Sequence, residues 1–428
     1  MTQSNFGNPT QYEMTEIKID DQDIIGLMQS LSIFEDIYTP CITGNIVIQD
    51  TDGAGFIEEQ DLEFIEPITV KAKNANGDTL EFEGVLNGLR NEKVMGPTKL
   101  YVIDFSSETV RVNEQTFITK AFKETNPEEI VREMTEKLEG ELDTNVRAKQ
   151  MNYVASRIRP IDVIEYVCTH ALTQATEATD KQNSDGKPQK EQAKGTTGFT
   201  FWETLKGFKF ESIKDIEDGK TGEEHKDFKL QLANIGLSME EAMKTIVEIQ
   251  FDQIGDFQTK LRSGAFSSVN ISFDLDTGIY KEYEYYNRDN MTPKQKEALP
   301  DDKFTRYFCK FNMNQKFNNE KQRSAPLTGD QSRAYIQQNS GSQNTFTDQI
   351  GEFTLYPQFN FSAGDVIDIK VAKVKDEEKA DGGFDKKHSG KYIMQSVSHH
   401  FFSDGRAYTK VNTIRSTTQQ DQTSAAKS

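Results

Sequence analysis

The sequence predicts a mainly β protein with an α+β insertion, in which two β-rich regions flank a helix-containing stretch. Three observations lead to this class. Short segments rich in β-branched and aromatic residues alternate in hydrophobicity near both ends of the chain. Two helical patterns, each with a proline at its start, lie between them. The 428 residues are enough for two to four domains of roughly 100–200 residues each.

The first β-rich region spans residues 1–112. In the run CITGNIVIQD, the residues Ile42, Ile46 and Ile48 fall on one face at period two. The stretch 24–31 fits either a strand or a short helix, and the Asn-Ala-Asn-Gly-Asp run at 74–78 predicts a hairpin turn. Several short strands at this spacing predict a small barrel or sandwich. The later strands are ITVKAK, DTLEFEGVL and KLYVIDFSS.

The insertion spans residues 113–244 and contains two predicted helices. Asn126 can cap the first helix, Pro127 suits its first position, and Gly140 ends it. The second helix begins near Pro160. Its apolar residues recur at helical spacing, which predicts packing into a core rather than a cofactor pocket. They are Ile161, Ile164, Val167, Cys168, Ala171 and Leu172.

The remainder of the chain contains three polar segments. Residues 174–197 have almost no large apolar side chains, which predicts a flexible surface linker within the insertion. The second β-rich region spans 245–415 and contains an inserted polar loop at 318–349. Residues 416–428 form a polar tail. With 28% charged and 10% aromatic residues, the chain as a whole is polar but able to fold.

Negative charge is concentrated in the first quarter of the chain. Residues 1–112 contain 20 acidic and 7 basic side chains, a balance of -13, whereas the whole chain carries -19. Such a region repels phosphate and therefore does not bind nucleic acid through counterion release. Solubility alone is an equally good explanation of the acidity.

The sequence contains no recognisable catalytic constellation, so it predicts a protein that is not an enzyme, with no catalytic, cofactor-binding or metal-ligating residues. The run Asp50-Thr51-Asp52-Gly53 resembles the start of a calcium loop but lacks the later ligands. His399 and His400 are adjacent in a strand, so they point to opposite faces. His170 is expected to pack on its apolar helix. The three cysteines, which are far apart, are expected to be free thiols: Cys41, Cys168 and Cys309.

No apolar run approaches the ~20 residues of a membrane span, and residues 1–14 do not resemble a secretory signal. The sequence therefore predicts synthesis and folding in a cytoplasm.

Three stretches resemble the baseplate central hub family of contractile-tailed phages, which is related to the hub part of type VI secretion spike proteins. The first, residues 31–53, matches an opening strand pair through Ile33, Glu35, Asp36, Gly44, Ile46, Ile48 and Asp50. The second combines FWETLKGFKFESI with residues 261–286, which end in a tyrosine pair. The third resembles a final barrel hairpin and combines GDVIDIKVAKV with SGKYIMQSVSHHF.

The resemblance implies two tail-tube-like β-barrel domains in each chain. A homotrimer would then present six similar barrels as a pseudo-hexameric ring, adapting a six-fold tail tube to a three-fold spike. Expected partners are the spike protein, the tail tube or a tube-initiator protein, and other baseplate proteins. The expected location is the virion tail baseplate, with DNA passing through the channel without specific binding and with no cofactor.

The resemblance also suggests a role for the acidic first region. Surplus carboxylates on a channel wall would repel DNA and ease its passage, and the candidates crowd one short stretch that fits an exposed loop equally well: Glu58, Glu59, Asp61, Glu63 and Glu66. Two other functions remain open. One is a different baseplate or tube-adaptor protein, and the other is a tail-associated cell-wall hydrolase, which would need paired carboxylates in a cleft. A receptor-binding adhesin is a third class, but the repeated fibre pattern typical of one is not seen.

Overall fold

A computed structural model gives the architecture of the chain. It describes residues 7–51, 56–96, 98–173, 198–230, 237–254, 256–274, 280–286, 291, 293–299, 303–312, 349–372, 384–385 and 387–415. The predicted linker 174–197, the polar tail 416–428 and all but the last residue of the loop 318–349 lie outside these residues. The fold is mainly β, built around one large and almost entirely antiparallel sheet, so the predicted fold class is confirmed.

The first barrel is formed by strands from the first β-rich region. The strands are β1 (Tyr12–Ile19), β2 (Gln22–Asp23), β3 (Met28–Asp36), β4 (Thr43–Asp50), β5 (Pro67–Asn74), β6 (Thr79–Met95) and β7 (Thr98–Ser106), with a 3-10 turn at Ile25–Leu27 and helix α1 (Phe56–Gln60). They pair antiparallel in the order β3-β4-β7-β6-β5-β1-β2. Alternate residues of each strand enter a shared core, as with Ile46 and Ile48 on β4.

Two local predictions for this barrel are confirmed. The 74–78 run is a hairpin turn, in which the side chain of Asn74 accepts a hydrogen bond from the backbone N–H of Asp78 at 2.8 Å. Gly77 adopts φ of 90°, a conformation that glycine tolerates best. Residues 24–31, which fitted either a strand or a short helix, contain both: a short 3-10 turn at Ile25–Leu27 leads directly into β3.

The insertion begins with α2 (Thr109–Gln115) and forms its own core. It continues with β8 (Ile118–Thr125), α3 (Pro127–Lys137), β9 (Leu142–Asp143), β10 (Met151–Ile158), α4 (Pro160–His170), β11 (Phe199–Thr204), β12 (Gly207–Ser212) and α5 (Ile213–Glu217). Both helices begin at the predicted prolines. Asn126 occupies the N-cap position of α3, although its side chain makes no capping hydrogen bond to the backbone. Helices α3 and α4 pack against β8–β10 and β11–β12.

The next elements belong partly to the second barrel and partly to a separate small unit. Strand β13 (Glu224–Leu230), helix α6 (Met239–Met243) and strand β14 (Ile246–Ile254) are followed by a separate small unit. This unit comprises α7 (Phe257–Ser263), β15 (Ser267–Asp274), β16 (Tyr280–Tyr286), α8 (Pro293–Ala298) and β17 (Arg306–Asn312). In the described part of the chain, its three strands pair only with one another.

The second barrel is completed by β18 (Gln349–Leu355), β19 (Val366–Val371), β20 (Gly390–Phe402) and β21 (Ala407–Arg415). Its strands follow the order β14-β18-β21-β20-β19-β13. A backbone hydrogen bond of 3.0 Å from Lys229 N to Lys244 O links β13 to the chain just before β14 and closes the barrel. Its core contains Phe353, Tyr392, Met394, Val397 and Val411.

The β20–β21 hairpin belongs to both barrels. Its base lies in the second barrel, while Phe401 and Ala407 near its tip are fully buried in the core of the first. Strand β20 pairs antiparallel with β3 from Ser396 opposite Asp36 to Phe402 opposite Ser30. One continuous sheet therefore runs through both barrels. No helix among the described residues is long and apolar enough to cross a membrane.

Candidate functional site

The candidate site is the buried junction at which the two barrels and the insertion meet. Its central side chain is Glu35 on β3. Glu35 points to the same inner face of the strand as Leu31 and Ile33, and it is 1% exposed. Its two carboxylate oxygens accept backbone hydrogen bonds from Leu205 at 2.9 Å and Ala363 at 3.0 Å. Burial raises the pKa of Glu35 to about 7, although these two hydrogen bonds lower it.

The loop between β18 and β19 acts as a plug at this junction. Phe359 packs in the core of the first barrel, Phe361 in the core of the second, and Ala363 in a third cluster shared with the insertion. Most of residues 357–365 are buried, which is unusual for a loop because its backbone polar groups then need partners within the protein. The plug loop thus ties together three hydrophobic cores.

Trp202 fixes the insertion to the plug loop. It lies on β11, is 2% exposed, and its indole N–H donates to the carbonyl of Ala363 at 2.9 Å. It packs in a cluster with Ile37 from the first barrel and with Ile393 and Ile414 from the second. A large buried aromatic with a satisfied N–H contributes both area and orientation to such a joint.

A second carboxylate anchors the insertion to the first barrel. Glu203 accepts hydrogen bonds from the backbone N–H of Ile42 at 3.0 Å and from the hydroxyls of Ser107 and Thr109. Burial raises the pKa of Glu203. Because protein donors already engage their oxygens, Glu35 and Glu203 act as structural anchors in this arrangement, not as the open pair of acids that a hydrolase needs.

Gly364 and Asp365, which begin the third stretch of the resemblance, have an equally structural role. Asp365 accepts hydrogen bonds from the backbone N–H groups of Glu223 and Ser362, and it lies 2.9 Å from Nε2 of His225. These contacts fasten the segment leading into β13 against the start of β19. Gly364 precedes Asp365 with φ of 92°, and Trp202 packs directly over it.

The outer face of the continuous sheet is polar, and around the seam between β3 and β20 it carries few charges. Two ion pairs lie on it, Arg90 with Asp104 at 2.6 Å and Lys410 with Glu352 at 3.1 Å. On the strands from β14 to the second half of β6, the other charged side chains of this face include Asp36, Glu248, Asp252 and Lys93. The same face of β1, β5 and the first half of β6 carries further charges, including Lys18, Lys71, Lys73, Glu81 and Glu83. Around the β3–β20 seam the face is lined mostly by small polar side chains, including Ser30, Ser32, Asn45, Ser396, Ser398 and Asn412.

A groove of about 310 Å³ follows the seam on this outer face. His400 lies in it, held between the hydroxyls of Ser32 at 2.9 Å and Ser398 at 3.0 Å. His399 points the other way, is fully buried and contacts Thr409. The two histidines thus lie on opposite faces, as strand alternation predicts, and they do not converge on one ion.

The acidic stretch 58–66 lies off this sheet, in α1 and the loop that joins β4 to β5. Asp61 and Glu63 are exposed, whereas the carboxylate of Glu66 accepts hydrogen bonds from the backbone N–H groups of Glu63 and Ile65. Burial opposes the effect of these bonds, but the net result is a lowered pKa for Glu66. The structure therefore places this stretch in a connecting segment, the alternative that the sequence left open.

Other chemically suggestive residues have ordinary surroundings. Cys41 is buried and Cys309 exposed, and all three cysteines are free thiols. Asp50 accepts a hydrogen bond from the backbone N–H of Phe56 at the start of α1. His170 stacks on Tyr166 with ring centroids 4.0 Å apart. Within the described residues, no group of three or more His, Cys, Asp or Glu side chains could hold a metal ion.

No protein-family model matches the sequence, and no curated protein is similar to it. Solved structures do share its architecture. The 43 kDa tail protein of prophage MuSo2 from Shewanella oneidensis aligns with a TM-score of 0.55 and 9% identity, over 94% of this chain and 98% of its own. A tail protein from Neisseria meningitidis MC58 aligns with a TM-score of 0.52 and 8% identity, over 96% and 98%.

A component of the type VI secretion system from E. coli aligns at 10% identity over 96% of this chain and 78% of its own. Its TM-score of 0.40 is too low to support a shared fold, so the assignment rests on the two tail proteins. At identities near 10%, the two alignments with TM-scores of 0.55 and 0.52 show a common architecture and not a common activity. The chain therefore has the fold of phage tail proteins, which is the fold that the baseplate-hub resemblance predicted.

Proposed function

We propose that this protein is the structural central hub of a contractile phage tail baseplate, a homotrimer that adapts a six-fold tail tube to a three-fold spike. The observation that carries the proposal is the fusion of two barrels into one body. They share the β20–β21 hairpin, a continuous sheet and the plug loop. A joint with this much buried contact resists bending, so each chain would contribute two barrels at a fixed angle.

Symmetry explains why such a fusion is useful. Three copies of a two-barrel chain offer six barrel positions to a six-fold partner and three identical surfaces to a three-fold partner. The insertion is fixed to both barrels through Glu35, Trp202 and Glu203, so it would move with them. Tube or tube-initiator subunits would then bind one side of the ring, and the spike and other baseplate proteins the other.

The outer face of the continuous sheet is the part best suited to a DNA channel. Around the β3–β20 seam, its small polar side chains offer no cluster of cations to phosphate, and Arg90 and Lys410 are already ion-paired within the chain. Carboxylates outnumber cations on this face, so it would repel a duplex over about a Debye length, roughly 8–10 Å at physiological salt. The residues that carry this role would be Asp36, Glu248 and Asp252, in place of the acidic stretch 58–66.

The role we propose is structural and not enzymatic, with its place in the virion. Native mass spectrometry of the full chain, followed by electron microscopy of the same sample, tests it. We expect three copies arranged around an open channel, with the sheet face inward. A stable monomer, or a ring of six chains each contributing one barrel, would overturn the proposal.

A further inference from the structure

A positively charged side chain is buried in the second barrel, at the end where β20 begins and β21 ends. Arg415 is the last residue of β21, lies opposite Gln349 of β18 and is 1% exposed. Strand alternation places it on the same inward side as Val411, which belongs to the core of this barrel. Buried charges are normally paired, yet Arg415 forms no ion pair with any carboxylate of the described residues.

The guanidinium group of Arg415 is only partly satisfied by its surroundings. Its Cζ lies 5.0 Å from the centre of the Tyr392 ring, and its Nη1 donates to the carbonyl of Ser389 at 3.1 Å. Its Nε is buried and has no hydrogen-bond partner within the part of the chain that the structure describes. A buried donor without an acceptor, like a buried charge without a counter-charge, lowers the stability of the fold. The group thus lacks one acceptor and one negative charge.

Gly390 makes room for this guanidinium group. It is the first residue of β20 and has φ of 127°, a conformation that side chains other than glycine's rarely adopt. A Cβ at this position would lie 3.2 Å from Nη2 of Arg415. The backbone therefore approaches the buried cation more closely than a larger residue would allow.

His388 lies beside this group and carries the cluster toward solvent. Its Nδ1 lies 2.6 Å from Oδ2 of Asp385, and its carbonyl accepts a hydrogen bond from the Tyr392 hydroxyl at 2.9 Å. Its ring packs against Phe251 with centroids 4.8 Å apart, and its side chain remains 25% exposed. Because Asp385 engages Nδ1, Nε2 is the ring nitrogen left for another partner. The carboxylate of Asp385 also accepts from the backbone N–H of Lys387.

We propose that these residues bind an oxyanion, a phosphate or carboxylate group that accepts from Nε of Arg415 with the imidazole of His388 at the rim of the site. Guanidinium N–H groups match the paired oxygens of both anions, and hydrogen bonds between charged partners are stronger than neutral ones. The anion would supply the missing acceptor and the missing negative charge together. It would also fasten the end of β21 to the segment that leads into β20.

The competing explanation is that Arg415 only closes the end of the barrel. Its ring contact with Tyr392 and its hydrogen bond to Ser389 would then be sufficient partners. On that explanation, the stability of the protein depends on these contacts alone, and no anion changes it beyond the general effect of salt.

Thermal unfolding in matched salts separates the two explanations. The full chain is prepared as wild type, Arg415→Met and Arg406→Met, in HEPES at pH 7 with sodium phosphate, sodium acetate or sodium chloride at equal ionic strength. Arg406 is the matched control, because it lies in the turn of the same hairpin, is exposed and is ion-paired with Asp404. At least one oxyanion should raise the Tm of wild type and of Arg406→Met by about 3 °C or more above chloride. Arg415→Met should show no such difference.

The salt that gives the larger shift identifies the chemistry of the ligand, phosphate or carboxylate. A wild-type Tm that is the same in all three salts would overturn the proposal. An oxyanion effect of equal size in Arg415→Met would overturn it too, because the anion would then bind elsewhere.

A direct measurement does not depend on the folding of Arg415→Met. Isothermal titration of wild type with the more effective anion should give one site per chain. Arg415→Lys, which keeps the charge but loses the planar fork, should bind about 10-fold more weakly or worse. No binding to wild type up to about 10 mM of either anion would contradict the site. Neither measurement concerns the number of copies in the assembly, so the hub proposal is tested separately.

Discussion

The carboxylate of Glu35 accepts a hydrogen bond from the backbone N–H of Ala363, a residue 328 positions later in the chain. Its other oxygen accepts from Leu205, in the turn between β11 and β12. One buried side chain thus joins the first barrel, the insertion and the plug loop. Both donors are backbone groups, so each would be left unsatisfied if the carboxyl group were removed.

We predict that the stability contributed by Glu35 depends on pH. Its pKa is raised to about 7 from an ordinary value of 4.5, so the folded state retains a proton that the unfolded state has lost. The stabilisation is complete below about pH 4.5 and disappears as the pH rises through 7. The loss amounts to up to about 3 kcal/mol. In the Glu35→Gln variant the side chain does not titrate. Its amide N–H₂ faces a backbone N–H, so two donors meet there and one hydrogen bond is lost.

The variant should therefore be less stable than wild type at pH 5 by about 1–3 kcal/mol, with a smaller difference at pH 8. Urea denaturation at both pH values measures this, and Glu13→Gln on the exposed face of β1 is the control. A difference that stays constant or widens between pH 5 and pH 8 would contradict the assignment.

We predict that a methyl group at Gly364 disrupts the joint between plug loop and insertion. A Cβ there would lie 2.7 Å from Cζ2 of Trp202, and the residue has φ of 92°. Gly405 has φ of 81° with no atom within 4 Å of its Cβ position, so Gly405→Ala isolates the backbone strain. Gly364→Ala should cost about 1–3 kcal/mol more than Gly405→Ala, because it adds overpacking to strain.

Trp202 is the sole tryptophan of the chain, so its fluorescence reports on this joint directly. Gly364→Ala should shift the emission of the folded protein to longer wavelength and lower the unfolding midpoint, whereas Gly405→Ala should leave the emission unchanged. Equal effects of the two substitutions on both readouts would show that Trp202 does not pack against the plug loop.

Much of this fold follows from the sequence, but the junction does not. Alternation predicts β4, β-branched and aromatic residues predict β5, β6 and β7, and the prolines at 127 and 160 give the starts of both helices. By contrast, the partners of Glu35 lie in two segments far away in sequence, and no local pattern connects them. One signal was available, since Glu35 occupies the same strand phase as Leu31 and Ile33 and must therefore point inward. The plug loop carries only scattered aromatic residues, which are common in ordinary loops.

We predict that the cysteines differ strongly in reactivity. Burial and the charge of Glu203 raise the pKa of Cys41 to about 12, so it holds almost no thiolate at neutral pH. Cys309 is exposed on β17. In a Cys168→Ser background, a disulfide reagent at pH 8 should modify Cys309 at least about 100-fold faster than Cys41. Rapid modification of Cys41 in the folded protein would mean that its junction with the insertion opens readily.

We predict that the protein does not retain DNA, and that cations on the outer sheet face change this. The triple variant Ser32→Lys, Asn45→Lys and Ser398→Lys should acquire binding to a short linear duplex that weakens by about 10-fold or more between 50 and 200 mM salt. Three lysines at exposed positions of the insertion, which lies off this sheet, are the control: Gln115→Lys, Thr119→Lys and Ser156→Lys. DNA binding by wild type, or by both triple variants equally, would contradict the channel assignment.

The sharing of the β20–β21 hairpin between the barrels has a consequence for biosynthesis. A ribosome releases β1–β7 long before Phe401 and Ala407, yet these two residues complete the core of the first barrel. Until they emerge, the nascent amino-terminal sheet has an unfilled interior and cannot reach its final shape. Both barrels must therefore mature together, late in translation, and prematurely terminated chains cannot complete the core of the first barrel.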